Sequence, residues 1–227
     1  MSRLLPPFLL ALSGALVHTA RGLGGPAWVL VWPALSAALL ALAYVLGRPG
    51  LLGKRRDGTR PAWAWALFGP YLTFTAAVWH LARFTSRESP LDEVAPGIWV
   101  GRRVLGRELP ERFQTVVDLT AELDAPAGIR ARPGYRCLPT LDASAPDPAP
   151  FAALVEELAA APDPLFLHCA QGHGRSATLA AALVLRRGLA GDPASAEALL
   201  RRARPGIGLK PAQRRLLEPF AAGAVKG

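Results

Sequence analysis

The chain has 227 residues, 51% of them hydrophobic and 19% charged, with a formal net charge of +9. That apolar share excludes a disordered polyelectrolyte, and a content of two cysteines excludes a disulfide framework. The basic excess sits mostly at the start, where residues 1–89 hold nine Lys and Arg against Asp57 and Glu88, a pattern that points to anionic lipid headgroups and not to nucleic acid.

Three apolar runs open the chain. Residues 4–20 carry no charge but include Pro6 and Pro7. Residues 27–46 are twenty uncharged positions, matching the hydrocarbon thickness of a bilayer. Residues 62–82 place Trp63 and Trp65 at one end and Trp79 at the other, like an interfacial aromatic belt, and Gly69-Pro70 predicts a kink. These runs predict two or three transmembrane helices in a membrane region over 1–89. No small-x-small site ends the first run, which argues against a cleaved signal. The richness in Ala, Arg, Gly and Pro is that of a GC-rich bacterial genome, so the expected location is the plasma (inner) membrane. The loop 47–61 holds Arg48, Lys54, Arg55, Arg56 and Arg60, and the positive-inside rule assigns it to the cytoplasm. The side that holds the remainder depends on whether run 62–82 crosses or lies in the interface, and the sequence leaves both open.

A second domain is expected over 90–227, behind a polar linker from Pro90 to Gly97. Ile98 to Val100 reads as a first strand, Arg107 to Phe113 as a helical turn, and Thr115 to Leu119 as a β-branched buried strand. Tyr135 to Pro139 is another strand. Phe151 to Ala161 is an amphipathic helix, with Phe151, Leu154, Val155 and Leu158 on one face. Two further helices are expected at Pro193 to Ala203 and Pro211 to Ala222. Strands alternating with helices predict an α/β domain with a central, partly parallel sheet flanked by helices.

The chemistry concentrates in Leu165 to Ser176. Leu165, Phe166 and Leu167 read as the end of a buried strand, and from Ala177 the chain is strongly helix-forming as far as Arg186-Arg187-Gly188. Between them lie Cys169, Gly172, Gly174 and Arg175. Glycines let backbone N–H groups turn inward at a helix N-terminus, which makes an anion site. Arg175 adds a planar fork for a tetrahedral oxyanion. Those same groups stabilise a thiolate at Cys169 and raise its nucleophilicity at neutral pH.

His168-Cys169, five residues, then Arg175-Ser176 resembles the signature of the cysteine-dependent protein tyrosine phosphatase superfamily, in particular its dual-specificity branch. The resemblance implies a three-layer phosphatase fold and no cofactor. It implies Cys169 as a nucleophile forming a phosphocysteine, with Ala170, Gln171, Gly172, His173, Gly174 and Arg175 holding the phosphate. Ser176 would assist thiolate departure, and His168 would brace the loop. The family's general acid is an Asp on a loop before the Cys. Asp142, 27 residues ahead of Cys169, is the candidate, and Asp147 on the same Pro-rich loop is the alternative. A zinc site built on His168, Cys169 and His173 lacks a further Cys or His cluster to complete it.

The expected activity is hydrolysis of a phosphomonoester, on a phosphorylated protein or a phospholipid. The loop has no lysine of the kind that phosphoinositide-specific relatives present, which disfavours polyphosphorylated headgroups. Two other classes remain: a membrane-tethered module that binds phosphate without hydrolysis, and a rhodanese-like sulfurtransferase, whose loop is usually one residue shorter. Asp118 and Glu122 are candidates to orient Arg175 or the loop. Gln213 sits where related enzymes often have a Gln in the last helix, with an exposed surface position as the alternative. Cys137 would form a reversible disulfide with Cys169 if their strands are neighbours, and is otherwise a buried, inert thiol.

Overall fold

The structure, a computed structural model, describes residues 4–221. They form two compact units. One holds the residues up to Arg55, Thr59–Ser86 and Ala121–Asp124; the other holds Arg56–Gly58, Arg87–Thr120 and the chain from Ala125.

The first unit is helical. Its apolar runs fold as α1 (Leu5–Leu23), α2 (Val31–Leu46) and α3 (Ala62–Thr85), with a 3-10 segment over Gly25–Leu30 leading into α2. The prolines of the first run lie in the opening turn of α1, where a missing N–H breaks no helical bond. α2 stops at Gly47, whose φ of +62° is a conformation glycine adopts without a Cβ penalty. The expectation of two or three spanning helices is corrected. Among the described residues, one helix, the 22-residue Gly25–Leu46, is long and apolar enough to cross a bilayer. α1 interrupts its apolar run with Ser13, Gly14, His18 and Thr19, and α3 includes Thr73, Thr75, His80 and three tryptophans.

Pro70 lies inside α3 and cannot donate to the carbonyl of Ala66. The indole Nε1 of Trp32, on α2, donates to that carbonyl at 2.6 Å. Gly69 makes this possible, since a Cβ there would lie 2.7 Å from Cζ2 of Trp32. The Gly69-Pro70 step is therefore a docking point for α2.

The basic loop is only partly a surface charge. Lys54 is buried and donates to the carbonyl of Leu123 at 2.6 Å. The Arg60 side chain, fully buried, bonds to Asp124 Oδ1 and the carbonyl of Ala121 at 2.8 Å each, and to the carbonyl of Leu52. Two of the five cations counted for the positive-inside reading thus have structural partners.

The second unit is built on five strands: β1 (Leu91–Ala95), β2 (Ile98–Arg102), β3 (Thr115–Thr120), β4 (Gly134–Thr140) and β5 (Leu165–Cys169). Their spatial order is β1-β2-β5-β3-β4, with β1 antiparallel and the rest parallel. The Pro90 to Gly97 segment, read as a linker, is largely β1: its Leu91, Val94 and Ala95 pack on the sheet and overcome the turn signals at its ends. The helical turn expected at Arg107 to Phe113 shrinks to a 3-10 turn over Gly106–Glu108. The helices are α4 (Ala127–Arg130), α5 (Pro148–Ala159), α6 (Arg175–Arg186), α7 (Pro193–Ala203) and α8 (Pro211–Leu217). The helix expected to reach Ala222 ends its α-helical part at Leu217, and Ala222 lies outside the described residues.

The period of two along β5 divides its side chains between two cores. Leu165, Leu167 and Cys169 face the larger one, beneath α5, α6, α7 and α8. Phe166 faces a smaller one with Val116, Phe113 and Ile129, where Phe113 meets Phe166 at 5.9 Å and Trp99 at 5.5 Å between ring centroids. Each fully buried Leu or Phe here contributes about 1.5–3 kcal/mol. α6 is buried from Arg175 through Leu185, as a helix apolar nearly all round must be. Cys169 is thereby fixed at the C-terminal edge of the central strand, under the first turn of α6.

Candidate active site

β5 ends on Cys169 and α6 begins on Arg175, so the loop between them is 170–174. Every carbonyl of this loop is engaged away from the thiol. The carbonyl of Ala170 accepts from the N–H of Arg103 at 3.3 Å, and that of His173 from Gly208 at 3.1 Å. Gly174 O accepts from the N–H and the Oγ1 of Thr178, at 2.8 and 2.9 Å. Those of Gln171 and Gly172 accept from Nη2 and Nε of Arg204, at 2.9 and 3.2 Å. Peptide planes held this way aim N–H groups inward, the backbone form of an anion nest. Gly172 has φ +81°, and a Cβ on it would lie 2.5 Å from the carbonyl carbon of Gly101, so glycine is required there.

Cys169 receives two of the donors. The Gly172 N–H lies 3.2 Å and Ser176 Oγ 3.4 Å from its Sγ. Burial pushes the thiol pKa up, but the Arg175 guanidinium and hydrogen bonds from Ser176 and Gly172 outweigh it and hold it below the ordinary thiol range. Arg175 is itself buried, with Nη1 donating to the carbonyl of Thr140 at 2.8 Å and Nη2 3.2 Å from Asp142 Oδ1. The structure thus gathers Cys169, the loop, Arg175, Ser176 and Asp142.

The Asp142 side chain is 71% exposed on the loop after β4. Ala143 next to it has φ +54°, an uncommon backbone for a residue with a Cβ. Asp147 is instead the N-cap position of α5. His168 points to the opposite face of the sheet, stacked on Phe166 and 4.0 Å from Asp118 Oδ1. Asp118 also accepts from the N–H and hydroxyl of Thr120 at 2.8 and 2.7 Å, and from the Tyr135 hydroxyl at 3.2 Å. Burial first, then the Asp118 charge, keeps that hydroxyl protonated as a donor. Asp118 therefore faces the strand residue before Cys169. Glu122 accepts from the N–H of Ala121 at 3.0 Å and caps its own turn.

Two pairs of alternatives are decided, with Cys137 a buried, free thiol. β3 lies between β4 and β5, so Cys137 is two strand spacings of about 4.8 Å from the strand that ends on Cys169, beyond the roughly 7 Å limit for a disulfide. Gln213 is buried: its Nε2 donates to the carbonyl of Ser144 and its Oε1 accepts from the N–H of Lys210, both at 2.9 Å. It ties α8 to the loop that carries Asp142.

No motif in the sequence marks Arg204, yet it uses all five N–H donors of its guanidinium. Besides Gln171 and Gly172, it bonds Ser89 O at 2.9 Å, Asp92 Oδ2 at 2.6 Å and Glu88 Oε2 at 3.2 Å. Its signal was slight: an Arg before Pro205 just past the end of α7. Among the described residues, no group of three or more His, Cys, Asp and Glu is placed to hold a metal ion.

No protein-family model matches the chain, and no curated protein matches it. Solved structures do. A structure of PTPMT1 in complex with PI(5)P is 20% identical and covers 58% of this chain and 94% of its own, with a TM-score of 0.51. A glycine-to-alanine mutant form of Tk-PTP is 25% identical and covers 60% of this chain and 96% of its own, with a TM-score of 0.50. Human DUSP28 is 23% identical over 60% of this chain and 96% of its own, at 0.45. The chain therefore contains the fold shared by cysteine-based and dual-specificity phosphatases.

Proposed function

We propose that the protein is a membrane-anchored phosphomonoester hydrolase that works through a phosphocysteine. The observation that carries this reading is the loop 170–174, whose five carbonyls all bond outward while an N–H and a hydroxyl donate to the Cys169 sulfur. Cys169 Sγ attacks phosphorus and the P–O bond to the leaving group breaks. The loop N–H groups and Arg175 stabilise the equatorial oxygens. Asp142 gives a proton to the departing oxygen and then takes one from the water that attacks the phosphocysteine. Ser176 stabilises the sulfur as it leaves.

The anchor reading rests on where large apolar side chains meet the exterior. Of those exposed among the described residues, all but Leu189 belong to residues 4–84, on α1, α2, α3 and their connections. A bilayer is the partner that accepts such a surface on several helices at once. The substrate is then a phosphorylated protein or a phospholipid monoester at that surface, and the PTPMT1 neighbour with PI(5)P bound is consistent with a lipid. The full-length protein, in detergent under reducing conditions, should hydrolyse an aryl phosphate. Cys169→Ser should lower kcat by at least about 10⁴-fold and keep phosphate affinity. Equal turnover in that variant would sink the mechanism.

A further inference from the structure

Three of the acceptors that saturate Arg204 come from one short segment, Glu88, Ser89 and Asp92, and the other two from the phosphate loop. Glu88 also meets the loop directly. Its Oε2 lies 2.7 Å from Nε2 of His173, the one ionisable side chain among residues 170–174. The same oxygen accepts from Arg204 Nη2. The pair is seated against Gly206, where a Cβ would lie 2.6 Å from His173 Nε2 and 2.7 Å from Glu88 Oε1. Nothing else stands that near, so the glycine makes room for this pair in particular. Gly208 holds the His173 carbonyl from the other end.

We propose that Glu88 is a positioning residue for the phosphate loop, acting through His173 and Arg204 to keep the loop carbonyls outward and its N–H groups on the Cys169 side. The proposal rests on the phosphatase reading above. Glu88 follows Thr85, the last residue of α3, by three positions. The brace on the loop thus comes from the stretch of chain that joins the helices to the sheet. Without it, peptide planes at Gln171 and Gly172 gain freedom to turn. Oxyanion affinity and thiolate stabilisation depend on the same N–H groups and should fall together.

The test uses the full-length protein in detergent with Glu88→Gln, Glu88→Asp and Gly206→Ala. Three quantities are read: kcat/KM on an aryl phosphate, inhibition by inorganic phosphate, and the pH profile of Cys169 alkylation by iodoacetamide, followed by peptide mass. Glu88→Gln should weaken phosphate inhibition and lower kcat/KM by about fivefold or more, and shift alkylation to higher pH. Glu88→Asp should recover part of each loss. Gly206→Ala should reproduce the losses with both partners intact. The thermal midpoint of Glu88→Gln should stay close to wild type, because the amide keeps an acceptor for Arg204 Nη2 and the contact with His173 joins two partly exposed side chains. A Glu88→Gln protein with wild-type inhibition and alkylation would overturn the proposal. A wild type that neither hydrolyses phosphate esters nor is protected from alkylation by phosphate would refute the phosphatase reading itself. An active wild type beside a silent Glu88→Gln refutes Glu88 alone.

Discussion

Arg204 Nε donates to the carbonyl of Gly172 at 3.2 Å, across 32 positions of sequence, from a side chain that is 2% exposed. The loop that faces Cys169 is therefore shaped from behind by a residue that does not reach the sulfur. A nest of N–H groups costs conformational freedom, and this guanidinium, with its five acceptors, is what holds two of the peptide planes.

Arg204→Lys should be damaging although it keeps the charge. An ammonium has three donors and no planar fork, so at least two acceptors lose their partner. Each buried acceptor left unsatisfied costs about 1–3 kcal/mol. Urea unfolding should show that loss, and inorganic phosphate should inhibit the folded fraction about tenfold more weakly.

The pH dependence follows from the lowered pKa of Cys169. The thiolate is present above the folded-state pKa, so kcat/KM should rise with pH through that value, on the acidic side of an ordinary thiol. The same shift contributes stability that is complete above the unfolded thiol pKa and is lost as pH falls through the folded one. Ser176→Ala removes the 3.4 Å donor and should move the alkylation profile to higher pH. A profile that does not move would show that Ser176 leaves the thiolate untouched.

Asp142→Asn should show an effect that depends on the leaving group. For an alkyl phosphate, whose oxygen needs a proton, kcat should fall by about 10²–10⁴-fold. For a nitrophenyl ester the fall should be far smaller. Equal losses on both substrates would remove Asp142 from the role of acid and return Asp147 to consideration.

In the helical unit, Trp32→Phe should leave the Ala66 carbonyl without the donor that Pro70 also fails to provide. The expected cost is about 1–3 kcal/mol, read by thermal unfolding in detergent. Pro70→Ala restores a backbone N–H and should recover much of that loss in the double variant. Additive losses would show that the indole bond is incidental.

The strand, loop and helix around the thiol were legible because they are contiguous. From Leu165 to Arg186, the apolar triplet, the glycines and the helix-forming run each act on near neighbours, and spacing alone brings Arg175 back over Cys169. Asp142 was legible more weakly, as a carboxylate after a strand. The β1 strand was not, because its turn-like ends outweigh five residues whose pairing with β2 lies beyond any local pattern. Cys137 and Gln213 show the same limit: whether strands are neighbours, and whether a side chain on the last helix is buried, depends on chain crossovers.

Residues a few positions apart carry their own message, so the grouping of Cys169, Arg175 and Ser176, the α/β class of the second unit and the helical character of the three N-terminal runs were legible, although one helix, Gly25–Leu46, is long and apolar enough to cross a bilayer. Long-range packing alone sets which carbonyls Arg204 holds, brings Glu88 to His173 and Asp118 to His168, and docks the indole of Trp32 on the helix interrupted by Pro70. Those contacts join residues from 32 to 115 positions apart. Their geometry comes from the order of strands in the sheet and the packing of helices against it, and no local periodicity records either.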